Sequence, residues 1–157
     1  MGVLYDYFRM PDNSAVLDLM ASTHGGSPLT AGRHISVDVV DAKHIEPAVT
    51  LGKLVACALE VPFRLDLMDG DLVWPPGMDE SYEGAFVCSV PDLARDGLAG
   101  IADEDLRALA ARWAQIEELA WSGSVGPTTM LPILTDLVGL ARRANGADEH
   151  LYFWCSV

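Results

Sequence analysis

Glu117 is the residue whose setting most invites chemistry. In the stretch Asp103–Trp121, DEDLRALAARWAQIEELAW, apolar residues recur at helical spacing. At about 100° per residue, Leu106, Leu109, Ala110, Trp113, Ile116 and Ala120 share one face, and Glu117 falls in the middle of it. A carboxylate inside an apolar stripe must find a partner or take up a proton. Beside Trp113 it could act as a general acid or base with a raised pKa. The competing reading is a structural carboxylate held by an arginine, a tyrosine or a backbone amide. Glu118 points about 100° away, so the two glutamates are not a pair sharing one site.

The remaining chemistry-bearing residues form weaker patterns. His24, His34 and His44 are too far apart to be a helix-face metal motif, and no metal or other cofactor is expected. His34 stands beside Glu117 as an alternative catalytic candidate. It closes the run Ser22–His34, STHGGSPLTAGRH, whose glycines, proline and hydroxyls predict a loop. HGGS within it has the form of an esterase oxyanion loop. The only accompanying serine motif, Ser122-Gly123-Ser124-Val125-Gly126, departs from G-x-S-x-G at its first position and follows a helix. The loop's amides and Arg33 could instead cradle an anion, although neither a dinucleotide nor a P-loop fingerprint is present. Cys57, Cys88 and Cys155 form no C-x-x-C and read as reduced, mostly buried thiols.

Charge narrows the partners. Of the 157 residues, 23 are acidic and 10 basic, for a formal net charge of −13. Nucleic acid and anionic membrane both call for a basic surface, so neither is expected; a basic protein partner is compatible. The densest acidic segment is Glu60–Glu83, with seven carboxylates and the single base Arg64. Within it Trp74 and Tyr82, flanked by Asp69 and Asp71, would make a plausible interface, aromatic anchors inside an acidic rim. The competing reading is that both aromatics cover the core.

The elements that must position these residues follow from periodicity. Strands are expected at Gly2–Phe8, Ile35–Val40, Gly84–Val90 and His150–Val157. Asp69-Gly70 suggests a hairpin turn between Leu65, Leu67 and Leu72, Trp74. Helices are expected after Asn13, over Ile45–Glu60 with Pro47 in the first turn, after Pro91, over Asp103–Trp121, and from a Thr128 cap to about Asn145. The last strand is apolar nearly throughout, so it should be central and pair with Gly2–Phe8 or Gly84–Val90. The expected fold is one α+β domain over residues 1–157. Its small mixed or antiparallel sheet has the terminal strands paired, with about four to five helices packed on it. No stretch has the length of a membrane span. MGVLYDYFRMPD lacks the form of an export signal, so a cytoplasmic location is expected.

In layout, the start MGVLYDYF, the segment HIEPAVTLGKLVACALE and the ending LARRANGADEHLYFWCSV resemble the YfbM-like family of small bacterial proteins. The resemblance implies an α+β fold and carries no activity with it.

Two functions fit these readings. One is a non-enzymatic, inhibitor- or immunity-like binding protein presenting its acidic surface to a basic protein. The other is a small-molecule enzyme or sensor with a pocket between the 22–34 loop and the Trp113/Glu117 face.

Overall fold

The computed structural model describes residues 2–31, 35–120 and 126–157. It is an α+β domain around one five-stranded antiparallel sheet. Strand β1 is Leu4–Met10, β2 Val39–Asp41, β3 Leu72–Trp74, β4 Phe86–Ser89 and β5 His150–Ser156. Their spatial order is β2-β1-β5-β4-β3. The C-terminal strand is thus central, as its apolar run predicts, and it pairs with both expected neighbours: Phe8 faces Tyr152, and Val87 faces Trp154.

Alternation along the strands divides the core in two. Tyr7, Val40 and Leu151 point to the larger core. There α2 (Gly52–Leu59), α3 (Asp92–Ala99), α4 (Leu106–Trp113), α5 (Glu117–Ala120) and α6 (Pro127–Gly146) cover the sheet. Phe8, Val87, Tyr152 and Trp154 point the other way, towards α1 (Asn13–Ser22), which contributes Val16, Leu19 and Met20. Asp12 caps α1 by accepting from the Ala15 amide at 2.8 Å.

Several local expectations give way to specific causes. The helix expected over Ile45–Glu60 opens as a wide turn at Pro47–Leu51 before α2. Glu46 caps that turn, accepting from Ala48 at 2.6 Å and Val49 at 2.7 Å. Asp69-Gly70 is no hairpin. Leu65–Met68 is a 3₁₀ turn, and β3 pairs with β4. Gly70 is needed for close approach instead, because a Cβ there would stand 1.7 Å from the Ser89 carbonyl oxygen. Helix α6 is capped by Gly126 and not by Thr128, and Pro132 lies inside it. Cys155 is buried and Cys88 half-buried, whereas Cys57 is exposed; all three are free thiols.

The Asp103–Trp121 helix is interrupted. Trp113 is buried as expected, and its Nε1–H donates to the Thr50 carbonyl at 2.8 Å. The chain then tightens, with Gln115 N–H bonded to Arg112 O and Ile116 N–H to Trp113 O. Such i→i−3 bonds overwind the helix and reset its face. Glu117 is therefore exposed, and Leu119 turns inward. Glu118 acquires the partner, two hydrogen bonds from Lys53 Nζ at 2.6 and 2.7 Å, which hold its carboxyl below the usual range.

Candidate functional site

At one end of the sheet, β1 stops, β5 begins, and β4 hands over to α3. The same end carries the start of β3 and the N-terminus of α1. A cleft of about 540 Å³ opens where they meet. Four aspartates line it: Asp12 before α1, Asp69 and Asp71 before β3, and Asp92 in the first turn of α3. His150 and Tyr152 of β5 complete it.

Each side chain has a fixed setting. Asp12 is occupied as the α1 cap. Asp71 is held by its backbone: Ser89 N–H donates to Asp71 O at 2.9 Å, and the Asp71 amide donates to Ser89 Oγ at 2.8 Å. That leaves its carboxylate exposed. The Nδ1–H of His150 donates to Asp92 at 2.8 Å. Tyr152 donates its hydroxyl to Asn13 Oδ1 at 3.0 Å. Burial, reinforced by Asp12 and Asp92, pushes that phenol up to about 12, so it stays protonated. Arg95 is a neighbouring cation. It is buried, with Nη1 donating to the Glu149 carbonyl at 2.8 Å and Nε to Asp96 at 2.9 Å. It lies 3.3 Å from Asp92; among the described residues neither Asp69 nor Asp71 forms an ion pair.

Chemically, the cleft is a concave anionic surface. The His150–Asp92 pair has the form of an oriented base. Two hydroxyls line the cleft beside it: Ser89 Oγ accepts from the Asp71 amide, and Tyr152 donates to Asn13. The described residues do not arrange three His, Cys, Asp or Glu side chains to hold a metal ion.

Of the residues singled out from sequence, Asp69 and Asp71 line the cleft. Trp74 does not join them. It is half-buried in the smaller core and packs on Gly25, where a Cβ would come within 2.5 Å of its ring. Tyr82 belongs to the loop before β4 and donates to the Ala85 carbonyl at 2.8 Å. Trp113 lies in the larger core, and Glu117 is exposed. Arg33 and His34 lie outside the described residues, as do Trp121 and residues 122–125 of the serine motif. The described part of the 22–34 loop divides: Gly25 lies across the sheet from Trp113, whereas Leu29 shares a concavity with Leu106 of α4. Gly25 accepts from Trp154 Nε1 at 3.0 Å on the α1 side of the sheet. The HGGS run serves α1: the Gly25 amide bonds to Met20 O and the Gly26 amide to Thr23 O. Ser27 Oγ donates to Asp6 at 2.5 Å. With those groups spent on the protein itself, the run neither forms an oxyanion hole nor cradles an anion.

Sequence reasoning missed Asp12, Asp92, His150 and Tyr152. The signal was positional. Each stands at or near the end of an expected element, and pairing the terminal strands with Gly84–Val90 brings those ends together. Comparison with family models, with curated proteins and with solved structures returns no match. Among the described residues no helix is long and apolar enough to cross a membrane.

Proposed function

We propose that the protein is a cytoplasmic, non-catalytic binding protein that presents the Asp12–Asp69–Asp71–Asp92 cleft to a basic protein partner, in the manner of an inhibitor or immunity protein. The observation that carries this reading is the charge balance of the cleft. Four aspartates converge there, and the neighbouring Arg95 is spent on the Glu149 carbonyl, Asp92 and Asp96. An incoming lysine or arginine would supply what the fold leaves out. The net charge of −13 favours such a partner at longer range by steering encounter.

The test compares the wild-type chain with an Asp69→Asn/Asp71→Asn/Asp92→Asn variant, each immobilised in a bacterial lysate at low and high salt. Wild type should retain a basic protein at low salt, and the variant should lose it. Retention of the same proteins by both would reject the cleft as the binding surface.

A further inference from the structure

A second concavity adjoins the aspartate cleft. It is a groove of about 560 Å³, and Asp69 and Pro91 line both. Its walls are apolar. Val61 and Pro62 come from the chain leaving α2, Leu67 from the 3₁₀ turn, and Leu93 from the first turn of α3. Leu65 lies between Arg64 and Asp66, which both line the groove. Val61 is 43% exposed and Leu93 59%, with Leu65 beside them at 64%, while Leu67 is half-buried against the larger core. Clustered exposure of this kind marks interaction surfaces, whereas single exposed leucines do not.

The groove is held open by the fold. Glu60 adopts a left-handed conformation (φ 55°) that ends α2, and the Val61 amide bonds back to the Ala56 carbonyl at 3.0 Å. Leu67 N–H bonds to Arg64 O at 3.1 Å, and the α3 amides of Ala94 and Arg95 bond to Pro91 O. Backbone hydrogen bonds thus fix all three walls. The one base at the groove, Arg64, is matched by Asp66 at 2.5 Å, so Glu60, Asp69 and the neighbouring cleft leave the surroundings acidic.

Resting on the proposed reading of the cleft, we infer that the partner docks through a basic segment carrying one bulky apolar anchor. The anchor seats among Val61, Leu67 and Leu93, while a neighbouring lysine or arginine enters the aspartate cleft. Charge complementarity selects this occupant. A second copy of the chain would bring another net charge of −13 against an already acidic rim. Burial of the anchor supplies affinity, and the lysine or arginine supplies register.

The experiment is selection of a random peptide library, displayed on phage, against the folded protein. Enriched peptides should pair a lysine or arginine with a large apolar residue a few positions away. Leu93→Ser should weaken such a peptide by about tenfold or more, as for loss of an anchoring contact, with an unchanged circular dichroism spectrum because Leu93 is exposed. Asp71→Asn/Asp92→Asn should weaken it independently. Enrichment of basic peptides without an apolar position, indifferent to Leu93→Ser, overturns the groove and spares the acidic cleft. Enrichment of apolar peptides indifferent to the aspartate variant overturns the reading of the cleft. No enrichment overturns both.

Discussion

Asp38 and Asp71 stand at opposite edges of the same sheet end, one just before β2 and the other just before β3. Asp38 accepts from Arg9 Nε at 2.7 Å, and from Arg143 Nε at 2.6 Å and Nη2 at 3.0 Å. Arg9 continues to Glu149 at 3.0 Å. This network fastens the chain before β2, β1, the end of α6 and the approach to β5. Asp71 has no cation among the described residues and directs its backbone, not its carboxylate, into the fold. The contrast separates two uses of aspartate. At one edge charge is consumed in holding elements together, and at the other it is left facing an open cleft.

Breaking each edge should therefore have opposite consequences. The largest effect is expected at Gly70, which lets the Asp69–Asp71 backbone reach β4. Gly70→Ala would force its Cβ into the Ser89 carbonyl. It should cost about 1–3 kcal/mol by urea denaturation, the usual range for overpacking against immovable atoms. Library-selected peptides should also be lost. An unchanged urea midpoint would mean that the two strands separate there at little cost.

Asp38→Ala comes next. It removes a partner from half-buried Arg9, which keeps Glu149, and from exposed Arg143; charged hydrogen bonds are worth about 1.5–3 kcal/mol when well sheltered. Partial exposure discounts this to about 1–2 kcal/mol. Asp69→Asn/Asp71→Asn should move stability by no more than about 0.5 kcal/mol, with any gain coming from reduced self-repulsion. If the double variant were as costly as Asp38→Ala, the cleft would be a structural network like its counterpart.

The pH dependence sharpens the contrast through two carboxyls near the same edge. Arg143 and Arg9 hold the Asp38 carboxyl below its usual range. Its contribution is therefore full above the unfolded value, about 3.9, and disappears as pH falls through the lower folded value. Asp6 is buried with Ser27 as its hydrogen-bond donor, and burial raises it, with Asp41 adding to the rise and Lys43 opposing it. Its contribution is full below about 3.9 and is lost as pH rises through the higher folded value. Urea midpoints at pH 3 to 7 should show Asp38→Asn weakening the protein chiefly at the neutral end. Asp6→Asn should strengthen it there relative to the acid end. Parallel profiles for both variants would contradict these assignments.

Much of the fold was legible because its signals are local and repeated. The apolar run His150–Val157 announced a central strand, and Leu134, Leu137, Leu140 and Ala144 announced the buried face of α6. The break after Trp113 was not legible. Leu106, Ala110 and Trp113 continue smoothly into Ile116 in sequence, and only the packing of Leu119 and the Lys53–Glu118 pair reward the tighter turn. For the cleft, Asp69 and Asp71 were visible through local acidity. Asp92 and His150 lie 58 residues apart and meet only once β4 and β5 are paired. Chemistry assembled from the ends of elements leaves no local pattern to read.

The smallest effect is expected where the sequence seemed most eloquent. Glu117→Gln alters an exposed carboxylate and should change stability by less than about 0.5 kcal/mol, with no effect on library-selected peptides. Glu118→Gln removes the charge that Lys53 grips and should cost about 0.5–1 kcal/mol, the range for a partly exposed ion pair. That cost should shrink in high salt, where the attraction is screened. The two adjacent residues make an internal control, since helical continuity through Ala114 would reverse their order. A larger loss for Glu117→Gln than for Glu118→Gln would restore the unbroken helix and put Glu117 back among the buried groups.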